Sequence, residues 1–225
     1  MNSFHSNFRL SIPENIFIKD PQSSKLGRRI LENAISLIQK QGLEGFTFKK
    51  LADHIASNES SIYRYFENKH KLLLYLISWY WGWIEYKLVF KTNNIEDKEE
   101  VLRRAIIAVT EKPKKDETFG FINEEELHFI VIQEYSKVFQ TKDIDTENKN
   151  GYFEIYERLT NRLSRLIAAV KPEYEFPKTL STNILHGSLQ HHYLGQHFSE
   201  LSDENSKSEN FVTDFFQQLV FKTIQ

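Results

Sequence analysis

The chain has 225 residues, 40% of them hydrophobic and 14% aromatic, and a formal net charge of −2. It contains no cysteine, which excludes disulfides, thiolate catalysis and cysteine-ligated zinc. No apolar run reaches the roughly 18 residues of a membrane span, and the first residues lack a charged start leading into an apolar core; a soluble, cytoplasmic protein with no membrane partner is expected. Charge is unevenly placed: residues 1–72 carry 11 Lys/Arg against 7 Asp/Glu, and residues 73–225 carry 18 against 24. A basic end on an acidic body turns the basic end toward a polyanion.

Helical periodicity dominates, and no series of alternating strands stands out. Residues 1–20 read as an arm broken by Pro13, with Ile12, Ile16, Phe17 and Ile18 as its docking residues. The first helix starts at Asp20-Pro21 or at a cap on Ser23 or Ser24, carries a stripe of Leu26, Ile30, Ala34, Leu37 and Ile38, and ends at Gly42. Thr47 caps a second helix with Leu51, Ala52 and Ile55 inward. After a short break Asn58 caps a third, whose Ile62 and Phe66 point inward at i and i+4. A fourth helix over Lys69–Lys91 spans about 35 Å. Further helices are expected over 96–111, 122–140, 148–170, 178–198 and 209–223, making an all-α chain of about nine helices.

Two short helices separated by that break form a helix-turn-helix, in which one side of the second helix is buried and the other is offered to base edges. Glu59, Ser60, Ser61, Tyr63 and Tyr65 lie on or beside that outer side. The short serines let the backbone sit deep in a major groove, with hydroxyls that donate or accept; Glu59 suits a cytosine amine, and Lys49 reaches guanine or a phosphate. Tyr63, Tyr65 and Lys69 suit phosphates, as does Thr47 through its hydroxyl and the free amides at its helix start.

Residues 26–72 resemble the DNA-binding domain of the TetR family of transcriptional regulators. The resemblance rests on an apolar first helix ending in Gly42, then Phe46-Thr47-Phe48, Leu51-Ala52, Ile62-Tyr63-Arg64-Tyr65-Phe66, Lys69 and Leu72. It implies that Lys49, Glu59, Ser60 and Ser61 face bases and that Tyr63, Tyr65 and Lys69 hold phosphates. Ala56 stands where the family usually has the turn glycine, a strained choice if the turn needs positive φ. The resemblance further implies a three-helix head joined to a larger ligand-binding and dimerisation domain. The expected division is an arm (1–20), a helix-turn-helix domain (21–72) and an effector-binding and dimerisation domain (73–225).

For that larger region the residues themselves suggest a pocket lining. Trp79, Trp83, Tyr86 and Phe90 fall on one stripe of the fourth helix; His128, Phe129 and Tyr135 offer a second wall, and Tyr152 and Tyr156 a third. The same spacing also describes a filled core. An apolar or aromatic small-molecule effector fits such a lining better than a highly charged one. Leu180, Ile184, Leu185 and Leu189, with Phe211, Val212, Phe215, Leu219 and Phe221, serve either a homodimeric four-helix interface or the internal core. His186, His191, His192 and His197 are spread along about 16 Å of helix, too far for one ion, so neither a metal nor a cofactor is expected. No nucleophile elbow, phosphate-binding glycine loop or HExxH occurs, so no enzyme is expected. The sequence therefore reads as a ligand-responsive regulator, a repressor that binds a near-palindromic operator on double-stranded DNA as a dimer. The competing reading is a helical protein-interaction module that kept the fold without specific DNA binding.

Overall fold

A computed structural model describes residues 9–115, 120–203 and 210–225. Among the described residues there are eleven α-helices and no strand. Helices α1 (Lys25–Gly45), α2 (Phe48–His54), α3 (Glu59–Tyr63) and α4 (Lys69–Thr92) follow the expected order. Ser24, Thr47 and Asn58 cap the first three by accepting the amides of Gly27, Lys50 and Ser61. Then come α5 (Lys98–Thr110), α6 (Glu124–Glu134), α7 (Ser136–Phe139), α8 (Ile144–Lys149), α9 (Glu154–Val170), α10 (Pro177–His197) and α11 (Phe211–Thr223). The helix expected over 122–140 is divided into α6 and α7, and α8 forms largely ahead of the helix expected over 148–170, which accounts for eleven rather than about nine. The break between α8 and α9 falls at Gly151, whose φ of +76° suits glycine.

The chain forms two compact units, residues 1–80 with 113–154, and residues 81–112 with 155–225. This division differs from the expected boundary after residue 72, because α6, α7 and α8 belong with the helix-turn-helix. α4 runs from one unit into the other. From Leu72 to Glu85 it is buried on every side, so burial does not single out the stripe of Trp79 and Trp83 as a lining. A helix apolar all round has no polar face to offer, and Tyr75, Tyr80 and Trp81 are as buried as the two tryptophans.

In the first unit α1 packs on α6; Ile30, Leu31, Ala34, Ile35 and Ile38 of α1 are buried, while Leu26 and Leu37 are only half-buried. Gly42 interrupts α1 with φ +70° and ψ 166°, and one further turn follows to Gly45. The interruption frees the Leu43 amide, which donates to the buried Glu134 carboxylate at 3.0 Å. Lys137 pairs with both Glu134 (2.9 Å) and Glu44 (2.8 Å). These contacts hold the Lys137 ammonium above its ordinary pKa and, with Lys69, draw the Glu44 carboxyl below its own.

The arm is built into this unit. Ile12 and Ile16 are buried, the Ile18 amide donates to the Tyr65 carbonyl at 2.8 Å, and Gln22 Nε2 donates to the Leu10 carbonyl at 2.9 Å. The Ile18 side chain, expected to dock, is exposed; its backbone makes the attachment instead. Asn15 reaches the Asn150 carbonyl, and Lys71 lies over the Tyr152 ring at 3.7 Å.

In the second unit α5, α10 and α11 each pack against the other two. Gly187 permits the close approach of α10 and α11, since a Cβ there would lie 2.7 Å from the Phe216 ring. Thr110 Oγ1 and Thr213 Oγ1 are 3.0 Å apart, and His192 Nε2 donates to the Thr110 carbonyl at 2.9 Å. Glu85 of α4 is buried against Arg158 and Arg162 of α9, with Arg158 Nη2 at 2.6 Å.

Burial lowers the His192 pKa from 6.5. The unfolded chain then binds a proton that the folded one refuses, so this histidine's contribution is complete above pH 6.5 and is lost as pH falls toward its folded value. Denaturant titrations at stepped pH should show stability falling on acidification below that point, and His192→Gln, which keeps an N–H for Thr110, should flatten the slope.

Candidate nucleic-acid interface

The interface begins with the packing that leaves one side of α3 outward. Ile62 and Phe66 are fully buried beside Leu51, Ala52 and Ile55 of the preceding helix and turn. With that inner side fixed, Ser60 and Tyr63 are exposed, and Glu59 and Ser61 are half-buried. The Tyr63 ring is 47% exposed and leans edge-on against Phe48 at 5.1 Å, which sets the direction of its hydroxyl. Lys49 and Thr47 are exposed on α2. Lys69 is exposed at the start of α4, and its Nζ donates to the Leu43 carbonyl at 3.3 Å. An ammonium has three donors, so this bond uses one of three.

Tyr65 does not belong with these residues. Its side chain is only 3% exposed and its hydroxyl lies 2.8 Å from Ser24 Oγ, joining the end of the helix-turn-helix to the cap of α1. Lys19 lies over the ring at 5.4 Å. Alternation of Tyr63 and Tyr65 about the helix exit sends one ring out and the other in. Helical arithmetic alone does not decide this, because α3 ends at Tyr63.

The turn between α2 and α3 answers the question Ala56 raised. Ala56 has φ +47°, the left-handed conformation. Its amide donates to Asp53 O at 3.2 Å and the Ser57 amide to Ala52 O at 2.9 Å, the paired closure of a helix end that ordinarily uses glycine. Arg29 of α1 donates to the Ile55 carbonyl at 2.6 Å and so holds the strained turn from outside. Arg29 was not singled out in the sequence: it acts 26 residues away, and no local pattern marks it.

The residues considered for an effector lining separate between the two units. Trp79, His128, Phe129, Tyr135 and Tyr152 are in the first, and Trp83, Tyr86, Phe90 and Tyr156 in the second. Tyr80 Oη is 2.9 Å from His128 Nδ1, and burial raises the Tyr80 pKa. Tyr135 stacks on Phe139 at 4.4 Å, and Phe139 in turn meets Phe153 at 4.9 Å. Tyr156 Oη is 2.6 Å from His186 Nε2, with the Trp81 ring at 5.2 Å. Phe90 is 74% exposed and is a surface residue, not part of an enclosed lining. A half-open cleft of about 250 Å³ is bordered by Glu32, Asn33, Ser36, Phe121, Asn123 and Glu126, none of them in the expected lining. Among the described residues no His/Asp/Glu group is arranged for a metal ion.

A left-handed alanine costs about 1 kcal/mol relative to glycine at such a position. Ala56→Gly should therefore raise unfolding stability by about 1 kcal/mol, read as a higher urea midpoint with an unchanged m-value.

Residues 30–76 match the family model described as bacterial regulatory proteins, tetR family. A search of curated proteins finds no match. Similar solved structures include AibR in complex with isovaleryl coenzyme A and operator DNA, with TM-score 0.58, 17% identity, and coverage of 86% of this chain and 98% of that one. A bacterial regulatory protein of the tetR family from Rhodococcus RHA1 gives TM-score 0.61 at 12% identity over 89% and 97%. A putative transcriptional regulator from Saccharomonospora viridis in complex with choline gives 0.57 at 18% identity over 89% and 96%. At these identities the likeness is one of fold, and the matched family region is the capped, arginine-braced helix-turn-helix just described. Over residues 30–76 the chain matches the tetR family of bacterial regulatory proteins.

Proposed function

We propose that the protein is a cytoplasmic transcriptional repressor, not an enzyme, that binds a near-palindromic operator as a homodimer and leaves it when a small apolar or aromatic effector binds. The observation that carries this reading is the outer side of α3, held outward by the burial of Ile62 and Phe66 within a segment that matches the tetR family, while the structurally similar AibR is solved in complex with operator DNA. In this reading Lys49, Glu59, Ser60 and Ser61 face bases. Thr47, Tyr63 and Lys69 hold phosphates, and Tyr65 supports the helix exit from inside.

The effector part of the proposal rests on the aromatic content of α4, α6 and α9 and on similar structures solved with isovaleryl coenzyme A and with choline. The dimer part rests on α11. Leu180, Ile184, Leu185, Leu189 and Val212 face the internal core, whereas Phe215 and Leu219, one helical turn apart, remain 37% and 38% exposed. A second copy of the same helix would cover them.

Duplex affinity measured against salt tests the DNA reading. The protein should lose affinity steeply between low and moderate salt; Lys69→Ala should weaken binding evenly across sequences and reduce the salt slope by about one. A flat salt response without operator selection would favour a protein-interaction module instead.

The oligomer is tested separately. Leu219→Glu with Phe215→Glu should convert a dimer to a monomer by light scattering and weaken operator binding while leaving the helical spectrum intact. Dimeric behaviour of the double variant would remove α11 from the interface.

A further inference from the structure

The hydroxyls of Ser60 and Ser61 are not free to choose between donating and accepting. Asn58 Oδ1 lies 3.1 Å from the Ser61 amide nitrogen, 2.9 Å from Ser60 Oγ and 2.5 Å from Ser61 Oγ. A backbone N–H can only donate, so the Asn58 atom it meets must be the oxygen and not the side-chain nitrogen. An amide oxygen carries no hydrogen, so each serine must supply its own proton to the contact. The two hydroxyl contacts are shorter than the amide contact, which makes the amide the weaker partner of a shared oxygen. With both protons turned inward, the serines present only lone pairs to the outside. Glu59, beside them, presents a carboxylate that also only accepts.

We infer that Asn58 sets the hydrogen-bond polarity of the recognition helix, so that Ser60 and Ser61 read exocyclic amino groups of cytosine or adenine and not the N7 and O6 acceptors of purines. The inference rests on the proposed DNA binding and deepens it. In the major groove, cytosine N4 and adenine N6 are donors, while guanine offers only acceptors at N7 and O6. A serine that turned to donate to guanine would first have to give up its bond to Asn58. Asn58 is thus a positioning residue: it need not touch DNA, and it decides what its neighbours recognise.

The test uses the full-length protein. Preferred duplexes are first selected from random DNA with the wild type, Ser60→Ala and Ser61→Ala, and the positions where a serine variant relaxes selection are taken as those the serine meets. At those positions adenine is replaced by purine, or cytosine by pyrimidin-2-one, removing the amino group. In parallel, 7-deaza purines remove N7 and keep the amine. Loss of the amine should weaken binding by roughly threefold to tenfold, as expected for one neutral hydrogen bond, and loss of N7 by less than about twofold. Asn58→Gly preserves the cap position at a small stability cost and frees both hydroxyls. In this variant the penalty for removing the amine should shrink to less than about twofold, with thermal unfolding showing that the head remains folded. Sensitivity to N7 but not to the amine would overturn the inference while leaving DNA binding intact, as would unchanged amine discrimination in a folded Asn58→Gly. If no duplex is selected and no salt dependence appears, the DNA reading fails and this one fails with it.

Discussion

A single buried carboxylate governs how the first unit is assembled. Gly42 turns α1 out of its helix, and the Leu43 amide then has no partner four residues back. Glu134 supplies it from α6, 91 residues away, and Lys137 neutralises the carboxylate at the surface. A hydrogen bond to a charged group contributes about 1.5–3 kcal/mol, and an unmet buried amide costs a similar amount. Both favour one seating of α6 against α1. The Leu43 carbonyl on the same residue receives Lys69. One peptide segment therefore meets α6 through its amide and the start of α4 through its carbonyl. This explains why compactness groups the helix-turn-helix with α6 rather than leaving a detached three-helix head.

The same unit carries strain at one point and supports it at another. Ala56 occupies a left-handed position, and Arg29 holds the adjacent Ile55 carbonyl from α1. Tyr65 is drawn inward to Ser24, and the arm backbone bonds to the Tyr65 carbonyl through Ile18. Both ends of α3 are thus tied to groups on or beside α1. A five-residue helix has little stability of its own, so its orientation is set by these ties and by Ile62 in the core.

The helix order, the caps at Thr47 and Asn58 and the buried positions of α3 were legible because each rests on local chemistry, whereas Ser24 was one of three possible starts for α1. Thr47 and Asn58 stand immediately before periodic apolar residues, and Gly42 marks the change in α1. What was not legible depends on distant partners. Glu134 looks like any acidic residue at a helix end, and nothing near it in sequence announces Leu43. The burial of Tyr65 likewise depends on Ser24, 41 residues earlier. α4 misled the reading for a different reason: a stripe can be drawn through Trp79, Trp83, Tyr86 and Phe90, but between Leu72 and Glu85 every direction is buried. Periodicity identifies a face only where an opposite face exists. The division into units was hidden for the same reason as Glu134, since it follows from the packing of α1 on α6.

Withdrawing Tyr65 from the proposed phosphate contacts leaves Tyr63, Thr47 and Lys69 to make them. Tyr63 is directed by Phe48, Thr47 is held by its cap on Lys50, and Lys69 is anchored on Leu43. Each is restrained before any DNA arrives, so little side-chain freedom is lost on contact. Restraint of this kind offsets a smaller number of contacts, because ordering a long side chain costs about 0.5–1.5 kcal/mol at an interface. It also makes the grip sensitive to geometry. Lys69 is referred to the last turn of α1, and that turn is referred to Glu134. A shift of α6 relative to α1 would displace the Lys69 ammonium, proposed to hold phosphate, without altering any residue of α3.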